Sequence, residues 1–171
     1  MNGLEAVIIG LMIAIPQQTA PTIEPDRSTE CLALNMYHEA RGQGIAGELA
    51  VTAVVLNRVN DKRYPDTICE VVEEGPTQAS WQDPKVRFPV KNRCQFSWFC
   101  DGESDTPRNK KIYNRMYNLA DAILDNEIYF LDITGGATHY HANYVLPAWA
   151  ETKTKTVEIQ DHIFYRWEKN D

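Results

Sequence analysis

The sequence lacks several features that would assign it to a common class of protein. It has no excess of basic residues, because 17 Lys and Arg stand against 24 Asp and Glu, for a net charge of −7. Binding to a phosphate backbone needs a concentrated basic surface, so we expect no nucleic-acid partner. The absence of a C-x2-C pair argues against a zinc ribbon, and the absence of H-E-x-x-H argues against a zincin-type metallopeptidase. The chain also has no internal repeat.

The N-terminal apolar run lacks the length of a membrane span. It comprises residues 6–15, AVIIGLMIAI, which suits the core of a signal peptide, although Glu5 rather than a basic residue precedes it. We interpret residues 1–27 as an export or anchor segment with a proline-containing linker, able to associate transiently with a membrane through residues 4–15. A short helix packed on the domain is the alternative. Residues 28–171 then form one domain, which we expect to be monomeric.

Four cysteines, Cys31, Cys69, Cys94 and Cys100, are an even number in a short chain and allow three pairings. Cys94 and Cys100 are close enough in sequence to close a short loop, which leaves Cys31 with Cys69. Disulfides would place the protein in an oxidising compartment. Four reduced, buried thiols are the alternative.

Apolar periodicity predicts a mainly helical first two thirds. One helix starts at Ser28 or Thr29 and stops at the corner Arg41-Gly42-Gln43-Gly44, where glycines can take left-handed conformations. A second, mostly apolar helix runs from about Ile45 to Val59, and a short one follows Thr67. The pair Thr106-Pro107 predicts the start of a further helix. One face of the second helix is expected to be formed by Ile45, Leu49, Ala53 and Leu56, and to be widened by Ala50, Val51 and Val54.

The remaining segments have other patterns. Residues 75–92 show no period and are predicted to form a long irregular loop. His139 and His141 would point the same way on a strand, and residues 152–159 and 162–165 continue as a small antiparallel sheet. The predicted fold class is α+β, mainly helical with a small C-terminal antiparallel sheet.

Glu39 is the candidate catalytic residue, near the end of the first helix after the apolar Met36 and Tyr37. Partial burial would raise the pKa of this carboxyl, so that it could give a proton to a leaving oxygen. Arg41 nearby would act in the opposite direction. Many glycosidases need a second carboxylate, and the sequence does not fix one. Three acids are available for that role: Glu48, Asp101 and Glu103.

The histidines of the chain suggest a metal site as an alternative to the candidate site at Glu39. His139 and His141, with His38 beside Glu39 and His162 elsewhere, could form a metal site. Hydrogen-bonded structural histidines are the more common outcome of such a pattern. The alternative to an acid at Glu39 is therefore a metal site that uses His139 and His141 with a carboxylate.

Taken together, YHEARGQGIAGELAVTAVVLNRV, then RYPDTICEVV and CQFSWFCDG, closely resemble the SleB/CwlJ-type cell wall hydrolases. The family includes spore-cortex-lytic and related peptidoglycan-cleaving enzymes. The C-terminal ATHYHANYVLPAWA and HIFY look like the branch found outside spores, in bacteria and phages. The resemblance covers roughly Glu30 to Tyr165.

This resemblance implies a lysozyme-like catalytic domain that cleaves glycan strands between N-acetylmuramic acid and N-acetylglucosamine. It implies no cofactor, a location outside the cytoplasm (periplasm, envelope, or delivery to the wall by a phage), and Glu39 as the catalytic acid. Relatives acting as lytic transglycosylases manage with that single acid. Many relatives have an acid where this chain has Gln43. We predict glycan contacts for four polar residues: Gln95, Ser97, His139 and Tyr140. With peptidoglycan as the implied substrate, the alternative function is a metal-dependent peptidoglycan peptidase or amidase that uses His139 and His141 with a carboxylate. A glycan-binding protein that keeps the fold without catalysis is a third hypothesis.

Overall fold

The computed structural model describes residues 27–168, and helices form the first part of this range. The four α-helices are α1 (Arg27–Ala40), α2 (Gly44–Val59), α3 (Ile68–Val72) and α4 (Lys110–Leu124). A hairpin of β1 (Thr77–Ala79) and β2 (Arg87–Pro89) and a 3-10 helix (Ser97–Cys100) lie between α3 and α4. A second sheet follows, formed by β3 (His139–Ala142), β4 (Thr154–Ile159) and β5 (His162–Arg166), with a 3-10 helix (Ala148–Thr152) before β4.

The main core lies where α1 packs against α2, α3 and α4. Leu32, Met36 and Tyr37 of α1 are fully buried there, together with Met116 of α4. Leu32, Met36 and Tyr37 are spaced so that they lie on one face of α1. Because α1 is surrounded on several sides, its C-terminal end, which carries Glu39, is held in a fixed position.

The buried surface of α2 agrees with the predicted one in part. Val51 and Val54 have no exposed surface, as predicted, whereas Ile45 is 62% exposed and Val55, which was not predicted, is fully buried. This helix is apolar around most of its circumference, so the sequence did not determine which side faces the core. Val54 packs on Phe164 of β5 in a second, smaller cluster, and α2 thereby lies between the helical core and the sheet.

The corner between α1 and α2 depends on Gly44, which opens α2 with a φ of +64°. L-residues with a side chain rarely adopt this conformation, so glycine is required at this position. Gly42 is not in the left-handed region, contrary to the expectation for both glycines. Gln43 closes the corner: its amide nitrogen donates to Asp161 Oδ2 at 3.0 Å, and its amide oxygen accepts from Asp161 N at 3.1 Å.

The predicted small antiparallel sheet is confirmed, with strand order β3-β5-β4. His139 pairs with Tyr165 and Ala142 with His162. The last turn of α2 holds the sheet in place, since Asn57 Nδ2 donates to Ala137 O at 3.0 Å and Arg58 Nε donates to Thr138 O at 2.8 Å. These two contacts set the start of β3 against α2.

Two predictions for the middle of the chain are wrong. Residues 75–92 are not wholly irregular, because β1 and β2 pair as a hairpin with Gln78 opposite Phe88. The strands are short and exposed, so they show no alternation of buried and polar residues. The last long helix begins at Lys110 rather than at Thr106-Pro107, because Asn109 provides the N-cap and accepts a hydrogen bond from Ile112 N.

Both disulfides are present, and they join Cys31 to Cys69 and Cys94 to Cys100. The first ties α1 to α3, and the second closes the segment that contains the 3-10 helix Ser97–Cys100. The segment at residues 6–15 and most of the predicted linker lie outside the described residues. Within residues 27–168, no helix is long and apolar enough to cross a membrane.

Candidate active site

A cleft of about 400 Å³ opens where the C-terminal end of α1 meets β3 and the segment around Ser97. It brings together all five residues that the sequence predicted for catalysis or glycan contact: Glu39, Gln95, Ser97, His139 and Tyr140. Among the described residues that line it, Glu39 carries the only carboxylate. The sequence did not single out several other lining residues: Arg58, Phe96, Tyr144, Val145 and Trp149. His162, which the sequence suggested only for a metal site, also lines the cleft.

Glu39 is mostly enclosed, and its Oε2 accepts a hydrogen bond from the hydroxyl of Tyr140 at 2.8 Å. Removal of the carboxylate from water has the largest effect on this group and raises the pKa of Glu39 above its usual range. The Tyr140 hydrogen bond and the charge of Arg58 act in the opposite direction. The result is a carboxyl group suited to exchanging a proton with a bound molecule.

Arg41, which the sequence suggested as the opposing charge, lies elsewhere. Its Nη1 donates to the Tyr37 hydroxyl at 3.3 Å, and its guanidinium carbon sits 5.2 Å from the centre of the Tyr37 ring. Arg58, at the end of α2, is the cation that acts on Glu39. The fold explains why Arg58 rather than Arg41 acts on Glu39, because the last turn of α2 lies at the cleft.

Alternation along β3 separates Tyr140 from its two histidine neighbours. His139 and His141 both contact the Trp149 ring, with centroids 5.3 Å and 5.6 Å away, so the predicted shared face is confirmed. Tyr140 points the other way, towards Glu39. Burial raises the pKa of Tyr140 well above its usual value, so the hydroxyl keeps its proton and remains a donor.

The acids proposed as partners of Glu39 do not reach the cleft. Glu48 is fully buried and forms a two-point ion pair with Arg115, at 2.7 Å and 2.5 Å. Asp101 and Glu103 line a separate cavity of about 220 Å³ on the side of α1 that carries His38. Among residues 27–168, the site thus presents one acid rather than a facing pair.

Ring nitrogens of His139 and His141 lie within hydrogen-bonding distance of other groups of the fold. His139 Nδ1 lies 3.0 Å from Thr138 Oγ1, and the two ring nitrogens of His141 lie 2.9 Å from Ala142 O and 3.0 Å from the Tyr165 hydroxyl. Burial, followed by the charges of Arg58 and two further cations, lowers the pKa of His139 to about 3. Across residues 27–168, no group of three or more His, Cys, Asp or Glu side chains is arranged to hold a metal ion.

His38, the histidine beside Glu39, also faces away from the cleft. Its ring stacks on Trp98, with centroids 4.5 Å apart and planes 12° apart, and its Nε2 lies 3.1 Å from Asp105 O. It therefore does not join His139 and His141 in one cluster.

The model of the cell wall hydrolase family matches residues 42–165 of the chain, most of its length. The chain belongs to this family. It is of the SleB/CwlJ type, as the motifs predicted. The match begins after Glu39, so it includes Arg58 and Tyr140 but not the candidate acid, whose role stays a prediction.

Curated relatives of this cell wall hydrolase include spore cortex-lytic enzymes. That of Oceanobacillus iheyensis is 28% identical over 150 residues, which are 87% of this chain and 45% of the relative. That of Halalkalibacterium halodurans is 27% identical over 140 residues, 81% of this chain and 34% of the relative. The chain thus spans between a third and a half of the length of these relatives.

Solved structures confirm the fold of this cell wall hydrolase. The catalytic domain of the germination-specific lytic transglycosylase SleB from Bacillus anthracis superposes with a TM-score of 0.58 at 24% identity, covering 86% of this chain and all of that one. The catalytic domain of the Bacillus cereus SleB protein gives 0.56 at 23% identity, covering 88% and 98%. The α+β, mainly helical, lysozyme-like architecture is therefore shared.

Replacing Tyr140 with Phe tests the contact to Glu39 independently of catalysis. Loss of the hydroxyl removes a hydrogen bond that favours the carboxylate form, so the pKa of Glu39 should rise by roughly one pH unit. Carboxyl titration by NMR with isotope-labelled glutamate measures it, and Glu39→Gln identifies the resonance. Tyr144→Phe, on the exposed rim of the cleft, is the matched control. An unchanged or lower pKa in Tyr140→Phe would contradict this account.

Proposed function

We propose that this cell wall hydrolase cleaves peptidoglycan glycan strands between N-acetylmuramic acid and N-acetylglucosamine, as a lytic transglycosylase in which Glu39 is both general acid and general base. The observation that carries the proposal is that Glu39, enclosed and with a raised pKa, is the single carboxylate among the described residues that line the cleft. Family membership and the fold shared with SleB catalytic domains support the substrate class.

In the first step, protonated Glu39 gives its proton to the glycosidic oxygen while the bond from that oxygen to the anomeric carbon of the muramic acid breaks. Positive charge develops on the sugar ring, and Glu39 is left as a carboxylate. The adjacent Tyr140 hydroxyl donates a hydrogen bond to this carboxylate, a contact that strengthens when the acceptor becomes charged.

In the second step, the Glu39 carboxylate takes a proton from the muramic 6-hydroxyl. The oxygen of that hydroxyl attacks the anomeric carbon and closes a 1,6-anhydro ring. The proton returns to Glu39, no water is consumed, and no second carboxylate is needed. An inverting hydrolase, by contrast, needs a second carboxylate to activate water across the ring, and a retaining one uses it as the nucleophile.

The cleft lining suits a glycan. Gln95 and Ser97 contribute polar groups to the lining, while Tyr144 and Trp149 contribute aromatic surface. Sugar rings combine hydroxyl groups with apolar faces, so a lining with groups of both kinds matches them. We propose that these residues, with His139, orient the strand so that the scissile oxygen lies beside Glu39.

Export is the location that this function requires, since the substrate lies outside the cytoplasmic membrane. The two disulfides support it, because disulfides persist in oxidising compartments.

The products formed from purified peptidoglycan test the proposal. Mass spectrometry should find muramic ends in the anhydro form, lighter by one water than reducing ends. Digestion in water labelled with heavy oxygen should leave those ends unlabelled. A hydrolytic muramidase run in parallel is the control and should give labelled reducing ends. Labelled reducing ends from this protein would replace the transglycosylase route with hydrolysis.

The same experiment distinguishes the metal-dependent alternative. Freed stem peptides, lost on treatment with a chelator, would show that the protein is a peptidase or amidase instead. We expect the muropeptide pattern to be unchanged by chelator.

A further inference from the structure

Arg58 is a buried cation in the wall of the cleft. It lies in the last turn of α2, is 5% exposed, and lines the same cavity as Glu39. Enclosing a guanidinium is unfavourable unless its charge is compensated, and buried arginines are therefore usually paired. A buried arginine beside the candidate acid calls for an account of its partners.

Those partners compensate the charge only in part. Arg58 Nε donates to a neutral acceptor, Thr138 O, at 2.8 Å, and the guanidinium carbon lies 5.3 Å and 5.2 Å from the ring centres of Tyr64 and Phe96. Its Nη1 is buried and has no hydrogen-bond partner among residues 27–168. No direct ion pair therefore neutralises the guanidinium within the described part of the chain.

Two carboxylates are near enough to interact with this charge through space. They are Glu74 and Glu39, and both favour the charged form of Arg58 against the effect of its burial. Glu74 is not among the lining residues of the cleft, and its Oε2 is buried without a hydrogen-bond partner in the described range. Arg58 thus interacts with one carboxylate outside the cleft and one inside it.

We infer that Arg58 is a positioning residue that acts through Glu39: its fixed guanidinium stabilises the Glu39 carboxylate that forms when the acid gives up its proton. This inference rests on the proposed function, in which Glu39 passes through the carboxylate form once in each cycle. A charge that is already in place and shielded from water acts without reorganisation at the moment of reaction. Arg58 need not touch the substrate for this role.

Other groups around Glu39 do not supply that charge. Tyr140 of β3 donates a hydrogen bond but stays neutral. The pKa values of His139 and His162 are lowered, with burial as the main cause, so neither is charged near neutral pH. His141 lies on the opposite face of β3 from Tyr140. Among the described residues that line the cleft, Arg58 is thus the cation that can act on Glu39.

The pH dependence of kcat/KM in two Arg58 variants tests the inference. The free enzyme needs protonated Glu39, so kcat/KM falls as pH rises through the pKa of that group. Arg58→Met removes the charge and should move this fall to higher pH by about one pH unit, and kcat should drop about tenfold because a weaker acid donates its proton less readily. Arg58→Lys keeps a charge and should restore the wild-type position of the fall. A purely structural role would lower activity without moving the profile.

Glu74→Gln gives a second measurement that does not require Arg58→Met to fold. Removing this competing anion leaves the guanidinium charge less compensated, so the fall in kcat/KM should move to lower pH, opposite to Arg58→Met. Opposite shifts support the inference. A profile unchanged in Glu74→Gln, or shifted upward, overturns it, as does a wild-type profile in a folded Arg58→Met.

Glu39→Gln separates this inference from the proposed function. If Glu39→Gln were as active as the wild type, the proposed function would fail. If Glu39→Gln is inactive while the Arg58 and Glu74 profiles stay unchanged, only the role of Arg58 fails.

Discussion

Glu39→Gln is expected to lower the release of soluble muropeptides by about 10²- to 10⁴-fold, the range typical for removal of a general acid. The substitution keeps the shape of the side chain and an oxygen that can accept from Tyr140, so the cleft should remain intact. It removes the transferable proton. Because Glu39 is the only carboxylate among the described lining residues, no neighbouring acid can take its place.

The measurement is muropeptide release from purified sacculi, with loss of turbidity as a second readout. Glu103→Gln is the matched control, since it makes the same chemical change in an exposed acid that lines the neighbouring cavity. It should keep near wild-type activity. Retention of more than a tenth of the activity in Glu39→Gln would remove Glu39 from the mechanism.

A binding assay on the same variant addresses the non-catalytic reading. Glu39→Gln should still sediment with insoluble peptidoglycan, because the predicted contacts at Gln95 and Ser97 are unchanged. If the wild type also released no product while binding normally, the protein would be a glycan-binding member of the fold. Product release by the wild type alone excludes that reading.

The sequence was informative where a local pattern and its tertiary environment agree. The corner after Glu39 could be predicted because Gly44 has a conformation that side chains disfavour. The disulfide partners could be proposed from spacing, and β3 from the alternation of its histidines. The identity of Glu39 as a candidate came mainly from family resemblance, because a carboxylate near a helix end is common in any soluble protein.

Features that depend on distant segments were not predictable. In the sequence, Arg58 has no feature that distinguishes it from any arginine in the last turn of a helix. Its place beside Glu39 is set by contacts with Thr138 and Tyr64. The opposing charge was assigned to Arg41 because sequence proximity was the only guide. The sequence suggested Glu48 as a possible second acid, yet Glu48 is buried and forms an ion pair with Arg115, 67 residues later in the chain.

Removing the two disulfides one at a time should affect stability and substrate binding to different extents. Cys31–Cys69 spans 38 residues and Cys94–Cys100 spans 6. In the loop-entropy account, a longer loop restricts the unfolded chain more, which gives about 4 kcal/mol for the first and about 2 kcal/mol for the second. Replacing Cys31 and Cys69 with Ala should therefore lower Tm by roughly 10 °C, and the Cys94, Cys100 pair should lower it by about half as much.

The effect on KM should be in the reverse order, because the disulfide that closes the smaller loop, Cys94–Cys100, is the one that shapes the cleft. Gln95 and Ser97 lie between Cys94 and Cys100, so opening this loop frees two of the predicted glycan contacts and should raise KM several-fold at a temperature where both variants are folded. Cys31 and Cys69 lie in the core, away from the cleft lining, and their loss should leave KM near that of the wild type below the lowered Tm. Thermal unfolding monitored by circular dichroism and kinetics on solubilised glycan strands measure the two effects, with dithiothreitol-treated wild type as the control that combines both. Equal KM values for the two variants would mean that the loop keeps its shape without the disulfide, and that the cleft wall is held by the packing of Phe96 and Trp98 instead.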